Sequence, residues 1–170
     1  MRTDSLRLQR HAIRLREYDD MWVWVYVITI YAQGEVTLFG EVAGGEVRWN
    51  AFGRIAALCW MTLPEHFRFL ELDAWTLLPN RLHGIIVIRE GRGDAYPKYD
   101  EPPYRRHYAD AAPPLYEVIR SFKSKSTRRI NTERGTPRSA VWEPGYSEHI
   151  IGNKDSFYYF RKYIVNEPAQ

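Results

Sequence analysis

Residues 21–32, MWVWVYVITIYA, carry no charge and are dominated by β-branched and aromatic side chains. Such a run suits a pleated, buried surface, so it predicts a strand from about Trp22 to Tyr31. It is shorter than the roughly 20 apolar residues a helix needs to cross a bilayer. Asp19 and Asp20 precede it and no small-residue cleavage site follows, which argues against a secretory signal. A second apolar run, LHGIIVI at residues 82–88, reads as a strand too. Two such strands commit the chain to a sheet with a substantial core.

The 170 residues are most simply one domain, residues 1–170. Residues 1–20 are polar and Arg-rich and read as an irregular N-terminal arm. In TLFGEVAGGEVRWN, Gly44-Gly45 marks a hairpin turn between Glu41–Ala43 and Glu46–Trp49. Asn50 is a good N-cap for a helix over AFGRIAALCWMTL, closed by Pro64. FRFLELDAWTLL and LHGIIVI read as strands joined at Pro79-Asn80. Residues 90–114 carry Gly91, Gly93 and five prolines and read as a long mobile loop. A helix follows over Leu115–Arg134, then a short strand at SEHII, then a last helix over SFYYFRKYIVN capped by Asp155. Helices interleaved with strands predict an α+β fold: an antiparallel sheet with helices on one face.

Composition narrows the chemistry. A single cysteine, Cys59, excludes an internal disulfide and a thiolate metal site. Its apolar neighbours Leu58 and Trp60 make it a buried structural thiol, which fits a reducing, cytoplasmic setting. Net charge is only +3, so any basic surface must be local. The Leu115–Arg134 helix supplies one: Arg120, Lys123, Lys125, Arg128 and Arg129, with Ser and Thr between them. No acidic residue interrupts that stretch up to Asn131, so it is a candidate phosphate-binding surface as well as a solvated helix face.

Two further features are chemical. On the terminal helix, Tyr159 and Tyr163 are four apart and share a face, which Glu167 would continue. A tyrosine there can be packing or a nucleophile. In LLPNRLHGIIVI, Arg81 and His83 are two apart and point to one face of a strand. Gly84 beside them admits close approach of another backbone. His149, in the predicted last strand, is a further candidate for the same site. His11, His66, His107 and His149 show no metal-ligand spacing.

Taken in order, IRLREYD, VITIYAQGEVTLFGEV, LPNRLHGIIVI, VIRSFKSKSTRRIN, VWEPGYSEHII and YIVNEP resemble the HUH-type single-tyrosine transposases. The likeness is to the REP-associated tyrosine transposases and their small insertion-sequence relatives, over almost the whole chain. It implies a ferredoxin-like sheet with a C-terminal tyrosine-bearing helix, single-stranded or hairpin DNA as substrate, and a homodimer. It also implies strand cleavage and joining through a 5′-phosphotyrosine, assisted by a divalent metal, Mg²⁺ or Mn²⁺. In that pattern a His-hydrophobe-His strand holds the metal, and a polar residue four after the tyrosine completes the set.

Carried over, the nucleophile is Tyr163 and the second histidine is His83. Arg81 stands at the first histidine, and a guanidinium stays protonated and cannot ligate. Glu167 stands where Asn or Gln is usual. The resemblance therefore leaves the cofactor as Mg²⁺, Mn²⁺ or none, with His83 and Glu167 as residual ligands. Arg81 and Glu167 are expected to pair as ions where the metal would sit, with Arg81 taking over the metal's charge on the phosphate as the competing expectation. Two readings follow: a transposase working through Tyr163, or a domesticated, non-catalytic DNA- or RNA-hairpin-binding module. A small-molecule enzyme on the same fold would need a compact apolar pocket.

Overall fold

The computed structural model of the chain describes residues 23–89 and 115–167. The predicted arm at 1–20 and the loop at 90–114 lie outside the described residues. Six strands form: β1 (Val23–Tyr31), β2 (Gly40–Ala43), β3 (Glu46–Trp49), β4 (Leu70–Leu78), β5 (Arg81–Arg89) and β6 (Ser147–Ile150). Among the described residues four α-helices accompany them, α1 (Ala51–Met61), α2 (Leu63–His66), α3 (Leu115–Arg134) and α4 (Lys154–Val165), with a 3-10 turn at Gln33–Glu35. The main sheet is antiparallel with strand order β4-β5-β1-β6, and β2 and β3 pair as a separate hairpin. With that hairpin set aside, the path βαββαβ is the ferredoxin-like α+β arrangement.

The two apolar runs became the two central strands because both of their faces are covered. β1 and β5 pair along their whole length, from Val23 opposite Arg89 to Tyr31 opposite Arg81. Side chains alternate between faces along a strand. Ile28, Ile30, Leu82, Ile86 and Ile88 face α1 and α3, where they join Trp60, Phe122 and Ile130. Val25, Val27, Ile85 and Val87 face the other way and pack on Phe157 and Ile164 of α4. Continuous rather than alternating hydrophobicity is what a strand between two helical layers requires. Helices α1 and α3 thus share one face of the sheet, and the tyrosine-bearing α4 packs on the opposite face.

Local signals worked as expected in most places. Gly44 and Gly45 take φ of 63° and 80° in the hairpin turn, a region that costs other residues a Cβ clash. The Asn50 side chain accepts from the Gly53 amide at 3.0 Å and caps α1. Cys59 is buried, 1% exposed, as its apolar flanks predicted. Two expectations need correction. Pro64 does not close α1; the helix ends at Met61, and Pro64 sits in the first turn of α2, where its missing N–H has no helical acceptor to lose. Asp155 does not cap α4; Asn153 does, accepting from the Ser156 amide at 2.8 Å, and Asp155 falls inside the first turn.

Gly84 has a different purpose from the one its place beside His83 implied. A Cβ there would meet the Trp75 Cβ at 2.9 Å and the Trp60 ring at 3.3 Å. Its missing side chain admits two tryptophans on the α1–α3 face, opposite His83, rather than a second backbone.

Candidate functional site where α4 meets β5

Strand phase decides which side of the sheet the site occupies. Arg81 and His83 share the parity of Ile85 and Val87, so they lie on the α4 face, at the end of β5 nearest the Pro79-Asn80 turn. Phe157 and Ile164 are seven residues apart on one stripe of α4, both fully buried, and they seat the helix on that face. Arg161 adds a second tie, its Nε 3.0 Å from Oδ1 of Asp73 on β4. Asp73 lies where the β4–β5 register shifts between Leu72 and Trp75, so an irregularity in the sheet provides the anchor.

With the helix seated, Tyr163 falls beside His83, their ring centroids 5.8 Å apart and their planes at 69°. Tyr163 is 46% exposed, so its phenol is reachable from solvent. Tyr159 stacks on it, centroids 6.4 Å apart and planes at 17°, as the four-residue spacing predicted. The helix does not persist to Glu167. It stops at Val165, and a turn through Asn166 brings the Glu167 amide to the Ile164 carbonyl at 3.4 Å.

That turn delivers the Glu167 carboxylate into the site, where its side chain is 6% exposed. Oε1 accepts from Arg81 Nη2 at 2.7 Å and Oε2 lies 3.1 Å from His83 Nδ1. The other guanidinium nitrogen, Nη1, donates to Asn80 Oδ1 at 3.2 Å. The ion pair expected between Arg81 and Glu167 is therefore present, and His83 belongs to it as well. An ionised carboxylate only accepts, so within this contact His83 Nδ1 is the donor and Nε2 is the ring nitrogen left outside it. A guanidinium and an imidazole converging on one nearly buried carboxylate compensate its charge, which alone would be costly to bury.

This donor set does not fit a divalent cation. Arg81 stays protonated and holds Oε1 of Glu167, while Oε2 of Glu167 and Nδ1 of His83 face each other. Among the described residues no three His, Cys, Asp or Glu side chains converge as a metal site would require. His149 shares the α4 face, since it pairs with Val27, but its ring packs 5.3 Å from Phe160 and it stays outside the cluster.

The five cations of α3 lie on the far face of the sheet from Tyr163 and do not form one stripe. Arg120, Lys123 and Arg128 line a groove between α3 and residues 135–146. Lys125 Nζ instead meets His66 Nε2 at 3.2 Å, and Arg129 Nη1 lies 3.8 Å from the Cys59 sulfur, both toward α1 and α2. Lys123 donates to the carbonyls of Glu143 (2.8 Å) and Gly145. Burial pushes its pKa below the usual lysine value of 10.5, with nearby Glu143 opposing that shift. Sequence reasoning missed Arg138 and the aromatics Tyr116, Trp142 and Tyr146, which line the same groove. The aromatics were visible only as isolated residues around the basic helix, and nothing local marked Arg138.

No family model matches the chain. An uncharacterised protein of Haemophilus influenzae is 29% identical over 162 residues, covering 94% of this chain and 88% of that protein. The described fold superposes on the structure of a REP-associated tyrosine transposase bound to a REP hairpin, with a TM-score of 0.55 and 16% identity. The chain has the fold of that transposase. The match covers 83% of this chain but 64% of the transposase, so this chain spans less than two thirds of its length. A crystal structure of a Deinococcus radiodurans protein gives a TM-score of 0.47 at 14% identity, over 93% of this chain and 99% of that one.

Proposed function

We propose that the chain is a transposase-like protein that binds single-stranded or hairpin DNA, with Tyr163 at the reactive end of its site. The observation that supports this best is the seating of an exposed tyrosine on α4 against His83 of the central strand, on the fold of a hairpin-bound transposase. In this reading the Tyr163 oxygen attacks a DNA phosphorus, a phosphotyrosine bond forms and the bond to the 3′ oxygen breaks. His83 Nε2 takes the phenolic proton and returns it to the departing 3′ oxygen, which becomes a hydroxyl. No step is routed through a metal, because the donor set does not fit one. The test is incubation of the full chain with an end-labelled hairpin, with Mg²⁺, with Mn²⁺ and with chelator. A covalent adduct that disappears in Tyr163→Phe supports the reading.

A second reading is favoured by one specific observation. The Arg81–Glu167–His83 cluster is closed, each charged group already partnered within it. Such a cluster fits a module that kept the scaffold and the DNA-binding surface but no longer cuts. It predicts salt-sensitive hairpin binding with no adduct under any of the three conditions. Both readings include a homodimer, to be tested by the mass of the particle in solution.

A further inference from the structure

The groove between α3 and residues 135–146 lies on the opposite side of the sheet from Tyr163, and the chemistry above leaves it unused. It has a volume of about 1030 Å³, at the upper end of the roughly 300–1,000 Å³ of small-ligand sites, which suits an extended ligand. Its floor is apolar, formed by Ile119, Val141 and Trp142, and Tyr116 and Tyr146 stand among its walls.

The charge is one-sided. Arg120, Arg128 and Arg138 line the groove and are exposed, and their guanidinium groups have no ion-pair or hydrogen-bond partner among the described residues. The acidic side chain that lines it, Glu143, is occupied by Gln33 Nε2 at 3.2 Å and the Gly34 amide. Arg138 also holds φ at 65°, a conformation that costs a residue with a Cβ about 1–2 kcal/mol. The wall opposite α3 is fixed before any ligand arrives. Lys123 ties residues 143 and 145 to α3, Asn131 Nδ2 donates to the Ser139 carbonyl at 2.9 Å, and Trp142 Nε1 donates to buried Ser126 Oγ at 2.9 Å.

We propose that this groove binds an unpaired stretch of nucleic acid, with phosphates on Arg120, Arg128 and Arg138 and bases against Tyr116, Tyr146 and the apolar floor. A duplex hides its base faces in its own stack and would gain nothing from a concave apolar floor. A simple anion would need only the arginines. An unpaired strand offers both charges and flat apolar faces, the combination that single-strand sites use. The inference rests on the nucleic-acid reading above and adds to it a second contact surface, remote from Tyr163.

The experiment uses the full chain and a short oligothymidylate carrying 5-iodouracil, photo-crosslinked and mapped by mass spectrometry. The expected crosslinks are to Tyr116, Trp142 or Tyr146. Tyr116→Ala should weaken binding by about fivefold or more, the loss of one base stack. The triple variant Arg120→Ala, Arg128→Ala, Arg138→Ala should lower the slope of log affinity against log salt by about 2. Because all three arginines are exposed, that variant should keep the wild-type circular dichroism spectrum. Crosslinks confined to the α4 face, with the salt slope unchanged, would overturn the groove while leaving the nucleic-acid reading standing. Failure of the wild-type chain to bind either oligothymidylate or a hairpin would overturn both. Equal competition by inorganic polyphosphate would reduce the groove to an anion patch, and equal competition by polyglutamate would assign it to an acidic protein segment; either result sinks the proposal.

Discussion

At the scale of single residues, the decisive exchange is Arg81 at a position where the resemblance expects a histidine. Its charge is matched by Glu167, so removing Arg81 leaves a carboxylate that is almost out of water with only its His83 contact, and removing Glu167 leaves the guanidinium without its anion. Arg81→Ala and Glu167→Ala are each expected to cost about 1.5–3 kcal/mol, the value of a charge-assisted hydrogen bond. The double variant should cost clearly less than the sum, a coupling that denaturant midpoints of the four proteins would measure. The donor argument gives a second prediction. Arg81→His would supply a third donor beside His83 and Glu167, so titration calorimetry should detect Mn²⁺ binding in that variant and little in the wild type. Tight Mn²⁺ binding by the wild type would refute the statement that the set does not fit a cation. Spacing on a strand put Arg81 and His83 on one face, while the departures at Arg81 and Glu167 were identified only through the resemblance. Their mutual contact was argued there as charge complementarity; the participation of His83 Nδ1 was not legible, because it depends on the turn after Val165.

At the scale of elements, the two termini of α4 differ in how well the sequence marked them. Asn153 and Asp155 are both good capping residues, and only backbone geometry separates them: Asn153 is extended at φ −155° while Asp155 is already helical. Asn153→Ala should therefore destabilise the fold by about 1 kcal/mol, and Asp155→Ala by less, in thermal or urea unfolding. On α3, Lys123 is expected to behave differently from its neighbours. Its folded-state pKa lies below its unfolded value, so between the two the unfolded chain holds more protons and stability rises with pH. Lys123→Met should remove that rise as pH approaches 10.5, which paired unfolding curves across the alkaline range would reveal. The same substitution should loosen residues 143–145, since it removes their two hydrogen bonds to α3. The helix boundaries of α3 were legible because its apolar positions recur at helical spacing; the division of its cations between two sides became meaningful only once α1 and the 135–146 segment were in place.

At the scale of the whole molecule, the sheet separates two surfaces. One bears Tyr163 and the Arg81–Glu167–His83 cluster, and the other bears the arginine-lined groove. Gly84 lies between these layers, below Trp60 and beside Trp75. Gly84→Ala should overpack the α1–α3 face and cost about 1–3 kcal/mol, measured as a lowered unfolding midpoint, although His83 next to it faces the other side. No helix among the described residues is long and apolar enough to cross a membrane.

The sequence by itself determined the two central strands, the hairpin turn, the span of α3, the presence of α1 and α4, and the shared face of Arg81 and His83. Each of these follows from periodicity or backbone preference over a few neighbouring positions, and such information is local. Tertiary structure decided which face of the sheet each helix took, that Gly84 makes room for tryptophans, and that Glu167 reaches across 86 positions of chain to Arg81. It also gathered Arg138, Tyr116 and Tyr146 around the groove. Those outcomes depend on how layers stack and where a helix stops in space. No window of neighbouring residues carries that information, because the groups that meet come from separate elements and acquire their partners only when the core closes.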